Sequence, residues 1–176
     1  ETDTTYIPFT IINNPKSQHS AADKDARHEL MMKLYKQCND FTYTVNSHVE
    51  LQSKLKALEK EFASNEKVKK MLVEYGDKLE AQRKLVINTK EGMINDGNNY
   101  LRDKLSNVYI QIVSYDGKPS ATQFEKSTSF EKDINDNLNA YSAIDAKYLA
   151  NVNAAIKAAG KSEIVLMSRT EFDKMK

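Results

Sequence analysis

Residues 21–63 decide the fold of this chain. They read AADKDARHELMMKLYKQCNDFTYTVNSHVELQSKLKALEKEFA and contain no Gly and no Pro. Apolar side chains recur mostly at steps of three and four residues, the spacing of one face of an α-helix. Such a helix would be roughly 60 Å long and would need partner helices to bury that face. The apolar positions are Met31, Leu34, Cys38, Phe41, Val45, Val49, Leu55, Leu58 and Phe62.

Polar residues mark where this first helix begins and ends. The Ser20 hydroxyl can accept from the first-turn amides, and Asp23 lies three residues later, which approximates a capping box. Ser64 and Asn65 predict a break and the start of a second helix, which weakens across residues 89–92. The apolar face of this second helix comprises Val68, Met71, Leu72, Tyr75, Leu79 and Val86.

Two more helices are predicted beyond the turn-forming sequence INDGNN of residues 94–99. The shorter one covers about residues 100–113. The turn DGKP at residues 116–119 precedes Ser120, and a glutamine three residues later completes a second capping-box spacing. Gly160 suits the end of the last long helix. The inward positions of that helix are Phe124, Phe130, Ile134, Leu138, Tyr141, Asp145, Tyr148, Val152 and Ile156.

Both ends of the chain are predicted to be extended. Residues 6–15, YIPFTIINNP, combine β-forming side chains with two prolines, which indicates an extended arm or one short edge strand. An ordered linker packed along the bundle is the alternative. Residues 163–168, EIVLMS, are predicted as a short strand, and pairing with the arm is one option for it. The final residues, RTEFDKMK, are polar, and we expect them to fray.

The sequence therefore predicts an all-α protein, an antiparallel bundle of about four helices, two of them very long, with short extended arms at both termini. Residues 1–19 form the extended N-terminal arm, residues 20–160 the helical bundle, and residues 161–176 the short strand-like C-terminal tail. Only 5 Gly and 3 Pro occur in 176 residues, which agrees with few, long elements. A hydrophobic fraction of 40% with 29% charged residues is typical of a folded chain.

Charge and hydropathy exclude two classes of protein. The 26 basic and 25 acidic side chains leave a net charge of +1, which argues against a nucleic-acid binder. No apolar run approaches the roughly 20 residues of a membrane-spanning helix. The single cysteine, Cys38, cannot form an internal disulfide.

No residue pattern predicts a metal or cofactor site. Asp25 and His28 are one helical turn apart, but a di-iron bundle needs Glu-x-x-His pairs on two helices. One cysteine and scattered histidines do not make a structural zinc site. Residues 133–137 faintly resemble a calcium loop, yet Leu138 and Ile144 stand where that loop needs Gly and Glu.

No residue pattern predicts a catalytic centre either. Cys38 lies on the apolar face of the first helix, which favours a buried small side chain over a reactive thiol. Acidic residues alternate with lysines along the helices, as on a solvated face, whereas glycosidic cleavage needs two carboxylates across a cleft. No Ser-His-Asp set is local in sequence, and one assembled in space stays open. The 9 tyrosines fit either the rim of the core or a docking surface.

Several segments together resemble the C-terminal helical region of bacterial sortilin-like proteins, which are secreted BNR-repeat β-propeller proteins often labelled glycosyl hydrolases. The arm YIPFTIINNPK followed by SAADKDARHELMMKL resembles the entry to that region, with Asn14-Pro15-Lys16 where the family has Asp-Pro-Arg. DGKPSATQF resembles the family's Asp-Gly-x-Pro-Thr turn, with Ser120 in place of Thr. LANVNAAIKAAG resembles its Leu-x-x-Asn-x-x-Leu end, with Asn153 as the matching asparagine.

A fourth segment, LVINTKEGMINDGNNYLRDKL, resembles the family's Leu-x-Gln-x-Lys stretch, Asn-rich turn and Leu-x-x-x-Leu helix. Asn88 lies near the family's Gln, and the proline of the family's turn is missing. The resemblance spans roughly residues 7–165. The matching positions are Leu85, Lys90, Asn95, Leu101 and Leu105.

The resemblance implies a non-catalytic helical accessory domain of a secreted or periplasmic propeller protein. It would brace the upstream β-propeller of the same chain or contact another protein. It carries over no catalytic, cofactor-binding or metal-binding residue, so this segment is expected not to be an enzyme. The alternatives are part of a glycoside-hydrolase-type enzyme acting on carbohydrate, or a stand-alone exported bundle that associates with itself.

Overall fold

A computed structural model describes residues 5–10, 12, 14–88 and 100–175 of this chain. No strand occurs among these residues, so the all-α class is confirmed. The predicted turn at residues 94–99 and the weakening of the second helix near residue 89 lie outside the described residues. The helices are α1 (Ala21–Glu61), α2 (Glu66–Val86), α3 (Leu101–Ser114), α4 (Ala121–Ala158) and α5 (Arg169–Asp173).

The helix starts fall where the capping residues predict them. The Asp23 amide donates to Ser20 Oγ at 3.1 Å, and the Ser20 amide donates to the Asp23 carboxylate, also at 3.1 Å. Ser120 and Gln123 make the same reciprocal pair at the start of α4, at 3.3 and 2.8 Å. The Asn65 side chain caps α2. These local bonds satisfy amides that the helices themselves leave free.

Gly160 ends α4 as predicted. Its φ is +78°, a left-handed conformation that glycine adopts without a steric penalty. Its amide donates to the Lys157 carbonyl at 2.9 Å, and the Lys161 amide donates to the Ile156 carbonyl at 3.0 Å. This pair of bonds is a Schellman motif, which turns the chain sharply away from the helix axis.

The two long helices lie side by side and parallel. At one end of the bundle, Arg27 near the start of α1 donates to the carbonyls of Ile112 and Val113 near the end of α3, just before α4 begins. At the other end, the Lys161 ammonium lies against the Glu61 carboxylate, where α4 and α1 both stop. α1 and α4 therefore begin together and finish together.

The two shorter helices run in series, antiparallel to the long pair. Gln82 of α2 donates to Asn137 of α4 at 2.8 Å, and Tyr148 of α4 donates to Glu74 of α2 at 2.9 Å. Residues later in α2 thus meet residues earlier in α4. The α3 helix occupies the remaining length, so the bundle has a three-helix cross-section whose third member is divided between α2 and α3.

This division of the third position gives two apolar clusters. The lower cluster joins α3 to the first halves of α1 and α4, and the upper cluster joins α2 to their second halves. The lower cluster contains Leu30, Leu34, Phe41, Val45, Val86, Leu101, Leu105, Val108, Ile112, Phe130 and Ile134. The upper cluster contains Leu51, Leu55, Phe62, Val68, Leu72, Tyr75, Leu79, Tyr141, Val152, Ile156 and Ile164.

Three predicted core positions are wrong. Val49, Phe124 and Leu138 are exposed. The buried face of α1 also includes polar side chains, which a search for apolar residues alone leaves out. The buried polar residues of α1 are Gln37, Thr44, Ser47, His48 and Gln52.

The C-terminal tail corrects two predictions. Residues 163–168 are extended but form no strand, and no hydrogen bond joins them to the described residues of the N-terminal arm. Residues 169–173 do not fray: they form α5, capped by Ser168 and Glu171 in a third capping box. The tail folds back along α1, where Tyr43 donates to the Met167 carbonyl at 3.0 Å.

A side-chain amide takes the place of the predicted strand partner. Asn153 Oδ1 accepts from the Ile164 amide at 2.8 Å, and Asn153 Nδ2 donates to the Ile164 carbonyl at 3.0 Å. Both polar groups of one extended residue are thereby paired, as a neighbouring strand would pair them. Arg169 fixes the far end of the tail through Asp40, with 2.8 Å between Nη1 and Oδ1.

Replacing Asn153 by alanine should release the tail. Two partly buried bonds are lost, so we expect the free energy of unfolding to fall by about 1–2 kcal/mol. Limited proteolysis should cut residues 161–168 sooner in this variant, while the helices stay intact by circular dichroism. Asn151→Ala is the matched control, because Asn151 is exposed and bonds only within α4. Equal cleavage of both variants would contradict the role of Asn153 in holding the tail.

Candidate functional site

Three helices meet at one carboxylate in the middle of the bundle. Asp145 of α4 lies with Oδ2 3.0 Å from His48 Nε2 of α1, and its Oδ1 accepts from the Tyr75 hydroxyl of α2 at 2.6 Å. We call His48, Tyr75 and Asp145 the Asp145 network. His48 is 8% exposed, so this polar set is largely removed from water. Each helix contributes one group to a single shared interaction.

The contacts of the imidazole define its hydrogen atoms. His48 Nδ1 lies 2.6 Å from the Thr44 carbonyl oxygen, which only accepts, so Nδ1 donates. The opposite nitrogen, Nε2, faces a carboxyl oxygen of Asp145. His48 therefore links the backbone of α1 to the carboxyl group of Asp145 on α4.

Aromatic rings enclose this network. The His48 ring stacks on Tyr141, with centroids 4.0 Å apart and planes 22° from parallel. Tyr75 stacks on Tyr148 at 5.6 Å and 15°. These rings shield the polar groups from solvent, which strengthens their interactions. The Tyr141 hydroxyl is buried and has no hydrogen-bond partner among the described residues.

The tyrosines occupy three environments, and the core interior is not one of the two predicted for them as a group. Tyr75 and Tyr141 are fully buried in the core. The half-buried ones are Tyr43, Tyr100, Tyr109 and Tyr148, and the exposed ones are Tyr6, Tyr35 and Tyr115. Spacing along the sequence shows only that a tyrosine lies on a helix, and the partner helix decides its depth.

The two buried tyrosines should resist ionisation in the folded protein. Burial, with the Asp145 carboxylate beside it, raises the pKa of Tyr75 well above its ordinary 10.0, and burial raises that of Tyr141 to about 12. A raised pKa contributes stability that is complete below pH 10 and is lost as pH rises further. Titration by absorbance near 295 nm should show these two ionising only when the fold is lost. Full reversible ionisation of all 9 tyrosines in folded protein would contradict this.

The structure also brings a serine to this histidine. Ser47 Oγ lies 3.4 Å from His48 Nδ1, so Ser47, His48 and Asp145 form the spatial set that the sequence left open. The geometry does not activate Ser47: its hydroxyl donates to the Thr44 carbonyl at 2.9 Å, and Nδ1 donates to the same oxygen. Ser47 is 6% exposed, so a substrate cannot reach it. The set braces helices and presents no nucleophile to solvent.

The other predicted candidates do not converge. Asp25 and His28 are exposed on α1, and no group of three metal-ligating side chains occurs in the described part of the chain. Residues 133–137 lie inside α4 and form no loop. Cys38 is half-buried against the lower cluster, and burial raises the pKa of its thiol, which disfavours the reactive thiolate.

A cleft of about 420 Å³ lies between α3 and α4. Val108 and Phe130 line its base, and Lys104, Lys126 and Asp133 are among its polar residues. The neighbouring cleft also has Asp133 and adds Asp136, but these two carboxylates belong to one face of one helix. They do not oppose each other across a gap, as the two carboxylates of a glycosidase do.

The N-terminal arm is the most exposed apolar part of the described chain. Four of its large apolar residues, Tyr6, Ile7, Phe9 and Ile12, are 78–89% exposed. No hydrogen bond joins residues 5–10 to another described residue. The arm thus extends from the bundle and is not the packed linker that the sequence offers as an alternative. We call residues 5–10 with Ile12 the free arm.

The residues that follow the free arm contact a second exposed apolar group at the end of α3. The rings of His19 and Tyr115 meet there, with centroids 5.7 Å apart. Ile110 and Val113 lie on the outer face of α3 there and are about half exposed, as is Tyr115. Exposed apolar side chains collected at one end of a molecule are typical of a contact surface.

No family model, no curated protein and no solved structure matches this chain. The resemblance to sortilin-like proteins therefore stays a prediction. Among the described helices, none combines the length and the apolar character needed to cross a membrane.

Proposed function

We propose that this chain is a non-catalytic helical interaction domain that docks on a neighbouring protein or domain through the free arm. One observation carries the proposal: four large apolar side chains on a single arm are 78–89% exposed, more than any other large apolar side chain in the described part of the chain. Exposing that much apolar surface to water is unfavourable, and a partner that covers it removes the cost.

The rest of the bundle supports a bracing role. The Asp145 network ties three helices together inside the core, and the tail is held to α4 by Asn153 and to α1 by the bond from Arg169 to Asp40. A body held in this way keeps its contact surface fixed, which reduces the entropy lost on association. In its full form the proposal makes the neighbour the upstream β-propeller of an exported sortilin-like BNR-repeat protein, on the strength of the sequence resemblance.

Photo-crosslinking tests the proposal. Benzoylphenylalanine is placed at position 9 in the native protein in its source cells, and at position 56 as a control, because Phe9 and Lys56 are both exposed. We expect the probe at position 9 to link to residues outside the bundle, and the probe at position 56 to give background only. Equal yields at the two positions would contradict a docking role for the arm.

A pair of substitutions separates docking from folding. Changing Ile7 and Phe9 together to serine should remove the crosslink formed from a probe at position 12. Because both side chains are exposed, the free energy of unfolding should change by less than about 0.5 kcal/mol. Thr5→Ser with Thr10→Ser is the matched control, and it should leave the crosslink in place. A crosslink that survives the change of Ile7 and Phe9 would count against the proposal.

A further inference from the structure

The free arm is suited to one particular kind of binding site. We propose that it docks by adding itself as the outermost strand to the edge of a β-sheet in the neighbour, pairing through the backbone of Ile7 and Phe9. This inference rests on the proposed function, and it names the chemistry of the partner. An exposed sheet edge offers a row of unpaired N–H and C=O groups, and an extended peptide is its natural complement.

The backbone of the arm is free to make such a ladder. Residues 5–10 belong to no helix, strand or turn, and no described residue bonds to their amides or carbonyls. Apolar contacts alone would bury these groups without partners, which is unfavourable. A strand partner satisfies them. The side chains Tyr6, Ile7 and Phe9 are also among those that favour strands.

Pro8 decides which edge of the arm can pair. In a β-strand the N–H and C=O of one residue point to the same side, and the next residue points to the opposite side. Pro8 has no N–H, so the side that it shares with Tyr6 and Thr10 lacks a donor. Prolines in sheets lie on edge strands with that side toward solvent. The backbone N–H and C=O groups of Ile7 and Phe9 must therefore point toward the neighbour's sheet, and the arm becomes the outermost strand of that sheet.

The side chains agree with this assignment. Ile7 and Phe9 are two residues apart, so in a strand they share one face, while Tyr6 and Thr10 share the other. The first face is wholly apolar and suits the core of the neighbour's sheet, and the second can face water. The described part of this chain contains no strand, so the sheet has to come from the neighbour.

Proline substitutions on the two sides of the arm test the pairing. Phe9→Pro removes an amide that faces the neighbour, and Thr10→Pro removes one that faces solvent. Each is compared with alanine at the same position, which controls for the lost side chain. The readout is the yield of the crosslink from benzoylphenylalanine at position 12, in the native protein in its source cells. We expect Phe9→Pro to give at least about tenfold less crosslink than Phe9→Ala, and Thr10→Pro to equal Thr10→Ala.

The other outcomes overturn the inference in distinguishable ways. One outcome is that the crosslink yields of the two proline variants both equal those of their alanine controls, or both fall by the same factor, while the unmodified arm still crosslinks. In that case the arm docks by its side chains alone. Strand addition is then wrong, and the proposed function survives. If the crosslink joins the arms of two copies of this chain, the neighbour's sheet is excluded. If the unmodified arm gives only background, both the inference and the proposed function fail.

Discussion

Replacing Asp145 by alanine should lower the free energy of unfolding by about 3 kcal/mol, as measured by urea denaturation. Asp145 is the only described acceptor for both the Tyr75 hydroxyl and His48 Nε2, at 2.6 and 3.0 Å. The substitution strands both groups in a site where His48 is 8% exposed. Leaving a buried polar group unpaired destabilises the protein by more than the net contribution of the hydrogen bond that was removed. The loss in stability should therefore exceed that of two ordinary hydrogen bonds.

Two companion variants make this expectation specific. Asp136→Ala removes a carboxylate from the same helix, but Asp136 is exposed and pairs only with Lys132, so its loss should change the stability by less than about 1 kcal/mol. Tyr75→Phe removes one hydrogen bond and keeps the ring stacked on Tyr148. Its loss in free energy of unfolding should lie between those of the two aspartate variants, at about 1–2 kcal/mol. If Asp145→Ala and Asp136→Ala were equally stable, Asp145 would have no bracing role.

The sequence predicts the members of this network only in part. Helical period places Asp145 on the inward face of α4 and Tyr75 on that of α2, and both placements are confirmed. It cannot predict that they meet, because Asp145 lies 97 residues from His48 and 70 from Tyr75. His48 lies one heptad from both Phe41 and Leu55, on the apolar face of α1, but a search for apolar residues passes over it because it is polar. A polar residue turned inward shows in sequence only once its partner helix is known.

Local chemistry explains what the sequence predicts well. Ser20 and Ser120 mark helix starts because a capping box is complete within four residues, and Gly160 marks an end because its conformation is local. These signals fix the all-α class. They do not fix which helices are neighbours. The parallel pairing of α1 and α4 follows from α2 and α3 sharing one position, which depends on packing over the whole length.

The tail shows where local reasoning fails. Residues 163–168 have strand-like composition, yet their partner is the Asn153 side chain and not another strand. The residues after them are polar and resemble a frayed end, but a capping box at Ser168 and the ion pair of Arg169 with Asp40 hold α5 in place. The contacts with Asn153 and Asp40 come from distant helices, so composition alone leads to the wrong prediction.

Replacing Leu105 by alanine should destabilise one half of the bundle and spare the other. Leu105 is 1% exposed in the lower cluster, and deleting such a side chain costs about 3 kcal/mol, because a cavity remains. The α3 helix is short and packs mainly against the first halves of α1 and α4, with Val86 at the end of α2 also in its cluster. We therefore expect its amides to exchange about 100-fold faster, while those of α2 change less than about threefold.

Leu72→Ala provides the reciprocal case, because Leu72 is fully buried in the upper cluster. It should lower the free energy of unfolding by about the same amount as Leu105→Ala. It should accelerate amide exchange in α2 and leave that of α3 nearly unchanged. Leu85→Ala is the control for a leucine in the same helix, since Leu85 is mostly exposed and should change the stability by less than about 0.5 kcal/mol. Hydrogen exchange resolved by helix measures all three. If either core variant accelerated amide exchange in α2 and α3 equally, the two clusters would unfold as one cooperative unit. The division of the third helix position between α2 and α3 would then not separate two units of stability.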